Sequence, residues 1–211
     1  MTGITLQTLH PRHFDQGAIL VQTPHPGLAI PNPEETTPSE LSTFLAPLGA
    51  ELLVQGLRDG VHVSPQAQEG SAAQERPAPK ITPEDRHVRW DSWTAEEILL
   101  RHRVIGPLWS VAKSKSSATG NQSRIIWSSG FQKASVGLPD LQSGVAITQS
   151  GEPSVYIRTI DGHVLRAETI KVEGSGSNYA SQALRRAGML SFGCNSENKA
   201  IYDGIAHSPF S

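Results

Sequence analysis

The sequence predicts an α+β chain in which a helix set against short strands is joined by a linker to a small β-rich domain. Three observations carry this. Leu41, Phe44, Leu45, Leu48 and Leu52 recur at helical spacing. Residues 62–79 are rich in Pro, Gln, Ala, Ser and Glu and have no hydrophobic period. Beyond Trp109 the chain turns to short apolar runs separated by Gly/Ser turns.

Residues 2–9 alternate, with Ile4, Leu6 and Thr8 on one side, and read as a strand. A polar loop closed by Gly17 leads to a second strand over Ala18–Gln22. Five prolines from Thr23 to Pro38, the last included, keep that stretch extended. Thr37, Pro38 and Glu40 then spell a helix start, since Thr-x-x-Glu is a capping box and proline suits the first helical position. Pro47 removes one backbone donor and should kink this helix, and Gly60 should stop it. After the linker, Thr94 and Glu97 form a second capping box ahead of Ile98, Leu99 and Ile105, and Gly106-Pro107 ends that helix.

Lys113–Ser123 reads as a basic loop. RIIW, GVAITQ, SVYIRTI and HVLRAETIKV read as strands, with Asp161-Gly162 as a two-residue type I′ hairpin turn. With a closing helix near Tyr179–Ala187, these strands suit a small barrel of the OB kind. Residues 189–211 have little period and are expected to be a disordered tail. The expected division is 1–61, a linker over 62–92, a barrel domain over 93–188, and the tail.

Composition excludes more than it selects. No window approaches the ~18 consecutive apolar residues of a membrane span. One cysteine, Cys194, excludes an internal disulfide framework and a multi-cysteine zinc site. Net charge is −2 but unevenly spread. Residues 1–79 carry 3 Lys/Arg against 8 Asp/Glu, and residues 80–133 carry 9 against 5. A basic middle can offer a phosphate-binding face despite the unhelpful total; a merely solvated surface is the plainer alternative. Within it Lys80, Arg86, His87, Arg89, Arg101, Arg103, Lys113, Lys115, Arg124 and Lys133 interleave with Trp90, Trp93, Trp109 and Trp127. Lys and Arg contacts to phosphate supply most sequence-independent affinity for nucleic acid, and aromatics can stack on unpaired bases. The tryptophans can equally be core anchors.

His10, His13 and Asp15 fall within six residues. Pro11 and Arg12 make a shared metal geometry awkward, leaving a polar loop or a positioned carboxylate, and no metal is expected. Gly174-Ser-Gly176 lacks the third glycine and the βαβ frame of a dinucleotide fingerprint and reads as a turn before a helix. There is no GxSxG, GxxxxGK[ST] or HExxH.

Three stretches, in order and spacing, resemble the methionyl-tRNA formyltransferase family. Thr2-Gly-Ile-Thr-Leu-Gln-Thr-Leu followed by Phe14-Asp15-Gln-Gly17-Ala-Ile-Leu is similar to its strand–Asp-x-Gly–strand segment. Thr36-Thr-Pro-Ser-Glu-Leu with Leu48-Gly-Ala-Glu-Leu-Leu is similar to its connecting helix. Ala78-Pro-Lys80-Ile-Thr-Pro-Glu84 through Val88-Arg89-Trp90 is similar to its Lys-Ile-x-x-Glu…Ile-Asp-Trp linker, with Arg89 where the family has Asp. The likeness runs from residue 2 to about 188.

The resemblance implies a remnant of a Rossmann-like formyltransferase domain, a linker and an OB-like tRNA-binding barrel. It implies formyl transfer from 10-formyltetrahydrofolate, the cosubstrate, to the amino group of initiator methionyl-tRNA, by a monomer that uses no metal. The location implied is the mitochondrial matrix, the bacterial-type cytoplasm being the alternative. Of the family's Asn/His/Asp constellation only Asp15 is matched; the Asn-x-His pair and the Ser-Leu-Leu-Pro loop do not occur in these 211 residues. The expectation is thus an N-terminally truncated chain, inactive alone, with Asp15 as its catalytic residue. Lys80, Arg86, Arg89, Lys113 and Lys115 are its tRNA-binding candidates. A non-catalytic tRNA- or RNA-binding module is the alternative.

Overall fold

The computed structural model describes residues 1–12, 17–63, 79–113, 122–136, 143–148, 151–189, 191–192 and 203–205. It divides into two compact units, Met1–Lys80 and Ile81–Ser211. Most of the predicted linker, residues 64–78, lies outside the described residues. Residues 81–92, expected to continue it, cluster instead with the second unit.

In the first unit, β1 (Thr5–Gln7) pairs antiparallel with β2 (Ile19–Gln22). Helix α1 (Pro38–Arg58) starts as its sequence dictates. The Thr37 side chain accepts from the Glu40 backbone N–H while the Glu40 carboxylate accepts from the Thr37 N–H, and Pro38 opens the first turn. Pro47 is accommodated inside the helix. The helix ends at Asp59, with Gly60 following at φ +68°. The predicted stripe Leu41, Phe44, Leu45, Leu48 and Leu52 is half-buried throughout. Its continuation, Gly56, is buried; a Cβ there would lie 3.2 Å from both Leu6 Cδ2 and Val61 Cγ2, so the missing side chain lets helix and strands approach. Leu53, Val54 and Leu57 are exposed on the other side. Among the described residues of this unit no large apolar side chain is fully buried.

The second unit holds the core. Helix α2 (Ala95–Ile105) precedes β3 (Leu108–Lys113), β4 (Gln122–Trp127), β5 (Gln132–Lys133), β6 (Ala146–Thr148), β7 (Val155–Arg158), β8 (Val164–Ala167), β9 (Thr169–Val172), β10 (Ser177–Tyr179), α3 (Ala180–Arg186), β11 (Ser191–Phe192) and β12 (Asp203–Ile205). The strands form two antiparallel sheets, in the orders β10-β9-β4-β3 and β11-β12-β6-β7-β8-β5. Among the described residues these ladders do not close into a ring. The inward faces of both sheets share one cluster with α2 and α3, including Ile98, Leu108, Ile125, Trp127, Ile157, Leu165, Ile170 and Leu184.

Several local expectations are corrected. The β7–β8 hairpin exists, but Arg158 pairs with Val164, so its loop spans 159–163 rather than two residues. Only Gly162, at φ +81°, takes a positive φ there, whereas a type I′ turn needs two. Asp161 instead turns its carboxylate to the start of α2, accepting from the Ala95 N–H at 3.3 Å, where a helix N-terminus favours negative charge. Thr94 caps α2 as read, accepting from the Glu97 N–H, but the Glu97 carboxylate pairs with Arg101 at 3.0 Å. The Gly174–Gly176 turn joins β9 to β10 before α3 begins. The region expected as a disordered tail supplies β11 and β12, and β12 pairs with β6. Backbone pairing along the edge of a sheet needs no hydrophobic period, so none marked these strands.

His102 of α2 points into the aromatic cluster, its ring 6.3 Å from Phe131, with Nε2 buried and without a hydrogen-bond partner. Gly130 leaves it room, since a Cβ there would fall 2.5 Å from the imidazole. Burial lowers the His102 pKa, and a hydrogen bond to the Trp127 backbone only partly restores it. The unfolded chain therefore binds this proton more readily than the folded one. Stability should be at its full level above about pH 6.5, the ordinary histidine value, and fall as pH drops through the folded pKa. His87, also lowered, acts with the same sign. Unfolding midpoints measured from neutral to mildly acidic pH should decline; a constant or rising midpoint would contradict the buried neutral imidazole.

Candidate nucleic-acid interface

The basic middle of the sequence begins with a turn that its own side chains fix. The Thr82 N–H and hydroxyl both donate to Asp85 Oδ2, at 2.7 and 2.9 Å, and a 3-10 turn follows over Glu84–Arg86. Those two hydrogen bonds, the backbone one foremost, hold the Asp85 carboxyl below its usual pKa. Arg86 is exposed on this turn.

Trp109 of β3 fastens the segment down. Its indole Nε1 donates to the Pro83 carbonyl at 2.8 Å, and its backbone carbonyl accepts from the Val88 N–H at 2.9 Å. Its ring stacks on His87, with centroids 4.1 Å apart and planes 7° from parallel. The Arg124 guanidinium of β4 sits over the same ring, 4.3 Å from the centroid. An exposed cation–π contact is worth about 0.5–1 kcal/mol, a neutral hydrogen bond about 1, so the anchor is a sum of modest terms. Burial is the main cause lowering the His87 pKa, followed by the charges of Arg89 and Arg124, with Glu84 opposing. Histidine is therefore mostly neutral here at pH 7, and both arginines lie close enough to act on it.

Beside this stack lies a cleft of about 480 Å³, lined by Ile81, Pro83, Arg86, Pro107, Arg124 and Ile126 among others. Of the predicted site residues, Arg86 lines it, and Arg89 is exposed nearby on the same segment. Lys80 is exposed at the end of the first unit. Lys113 closes β3, and Lys115 lies outside the described residues. Asp15 and His13 also lie outside them. Three tryptophans are core: Trp90, Trp93 and Trp127 are 6%, 6% and 0% exposed. Trp90 and Trp127 pack with Phe131, and the buried Trp127 Nε1 donates to Ser110 Oγ. Arg101 and Lys133 serve internal contacts, Arg101 lying over Trp93 and pairing with Glu97, Lys133 pairing with Glu96.

Lys171 was missed. It is exposed on β9 opposite Ile126, which is itself opposite Trp109, so it shares a row of the sheet with them. The alternation of T-I-K-V, with Ile170 and Val172 buried, is the signal that could have found it.

No protein-family model matches the chain. A curated protein from Saccharomyces cerevisiae, "Methionyl-tRNA formyltransferase, mitochondrial", is 30% identical over 142 residues, 59% of this chain and 35% of that protein. Its namesakes from Mus musculus and Homo sapiens are 33% and 30% identical over 115 and 106 residues, covering 51% and 50% of this chain and 27% and 26% of theirs. The chain is similar to a portion of mitochondrial methionyl-tRNA formyltransferase. It spans about a third or less of the length of these curated relatives. The resemblance to methionyl-tRNA formyltransferase is thereby upheld over about half of the chain.

Because Trp109 is the common partner of Pro83, His87 and Arg124, Trp109→Ala should free residues 81–89 while leaving the two-sheet core folded. Trypsin should then cut after Arg86 and Arg89 much faster than in the parent protein, with little change in far-UV circular dichroism. An unchanged cleavage rate would show that the segment is held by other contacts.

Proposed function

We propose that this chain supplies the C-terminal, tRNA-binding share of a methionyl-tRNA formyltransferase. The complete enzyme moves a formyl group from 10-formyltetrahydrofolate to the amino group of initiator methionyl-tRNA in mitochondria, working as a monomer. The similarity to the mitochondrial methionyl-tRNA formyltransferases carries this reading. The shared core between the two sheets supports treating the second unit as an open relative of an OB-like barrel.

In such a reaction the amine attacks the formyl carbon and negative charge develops on the formyl oxygen. Acyl transfer therefore needs an oxyanion donor and a proton carrier. A carboxylate can orient and raise the pKa of a histidine but replaces neither group, so Asp15 acts as a positioning residue in the complete site. The basic residues act on the polyanion. Lys80 matches the lysine of the family's linker motif, Arg86 and Arg89 are held by the Trp109 anchor, and Lys113 and Lys115 fall in a Ser-rich stretch of the sequence.

Backbone recognition of this kind is tolerant of sequence and steep in salt. Each neutralised phosphate contributes about −0.9 to the slope of log K against log salt on duplex nucleic acid. Lys80→Ala combined with Lys113→Ala should flatten that slope by about one to two units without unfolding the second unit. Filter binding of initiator methionyl-tRNA across a salt series reads it. Undetectable wild-type binding at low salt, or an unchanged slope in the double variant, would remove these lysines from the interface.

A further inference from the structure

The Trp109 cleft combines features that phosphate attraction alone does not call for. Around it stand three arginines, Arg86, Arg89 and Arg124, but also three carboxylates. Glu84 lies near enough to raise the His87 pKa, Asp85 is bonded to Thr82, and Glu173 accepts from the Arg124 backbone N–H at 3.3 Å. With the exposed Lys171 in the same row of the sheet, cations outnumber these carboxylates by one, so the face draws phosphate, but charge alone does not account for an apolar, stacked lining. The lining is largely apolar, with Ile81, Pro83, Pro107 and Ile126 contributing. His87, Trp109 and Arg124 form a stacked series in which the exposed Arg124 is an outer member. A guanidinium held over an indole is a fixed, planar, cationic surface, and an unpaired base stacks on such a plane in RNA recognition.

From this geometry we infer that the cleft receives one unpaired RNA base, stacked on the Arg124 guanidinium, with its ribose and flanking phosphate toward Arg86. This rests on the reading of the second unit as tRNA-binding and adds a single-strand subsite to it. A duplex cannot use the site, because its bases are already stacked on one another. Selection for an RNA with an exposed nucleotide follows, beyond the uniform attraction of a basic surface.

Arg124→Lys separates the two roles, since it keeps the charge and removes the plane. A short single-stranded RNA and a hairpin-free RNA duplex serve as probes, with affinity measured by fluorescence anisotropy. The variant should lose about tenfold or more in single-strand affinity, as expected for one stacked base. Its duplex affinity and salt slope should stay as in the parent. Ile126→Gln, which puts a polar amide into the cleft without changing its charge, should give the same selective loss, and melting curves check that both variants fold. Parental single-strand affinity in Arg124→Lys, or no single-strand binding by the parent, overturns the subsite. If lysine-dependent tRNA binding persists in that case, the subsite alone has failed. If tRNA is ignored while Arg124-dependent oligonucleotide binding remains, the subsite stands and the tRNA reading has failed.

Discussion

The surface of the second unit depends on one attachment, the hold of Trp109 on residues 83–88. Without it, Thr82 to Trp90 would be a polar stretch following a linker, and Arg86 and Arg89 would be charges on a loose chain. With it, an indole N–H, a backbone hydrogen bond and a stacked imidazole lay that stretch along β3. Val88 and Trp90, alternating with the exposed Arg89, are then driven into the core, at 1% and 6% exposure. Burial of these two side chains on one side fixes which cations face outward on the other. An anchored cation loses less freedom on binding than a flexible one, so its contact with a ligand costs less entropy.

The two units contrast in how apolar surface is covered. The second surrounds Trp127, Ile98 and Leu184 completely, by two sheets and two helices. The first lays a long helix over a two-stranded ribbon that would be marginal in water without it, and the helix's stripe remains half-exposed. Gly56 brings helix and ribbon into contact, but one ribbon is too narrow to cover a helix of this length. Leu53, Val54 and Leu57 face away from the ribbon's contacts and stay exposed.

What the sequence made legible was local chemistry. Thr37-Pro38-Ser-Glu40 specifies a helix start by hydrogen bonds among neighbours, and it forms as read. The stripe of α1 and the strand at 155–158 follow from period alone, whereas 163–172, read as one strand, breaks at Glu168 into β8 and β9, which belong to different sheets. What stayed hidden depends on partners distant in sequence. The Glu97 carboxylate is drawn away from its cap by Arg101, and Asp161 takes over at the N-terminus of α2 from 66 residues away. The short strands β11 and β12 carry no period that could announce them. The site divided in the same way: Arg86 and Arg89 could be named from a basic run. The roles of Trp109 and Arg124 required the register that sets β3 beside β4, Val111 facing Arg124. Lys171 emerged only once β9 was paired to β4.

The central claim is that the face built on Trp109, and not the opposite sheet, meets tRNA. Hydrogen–deuterium exchange of the protein with and without initiator methionyl-tRNA tests this directly. The account predicts added protection over residues 81–89 and along β3 and β4, with β6, β7 and β8 unchanged. Protection confined to β6–β8, with 81–89 exchanging as in the free protein, would contradict it.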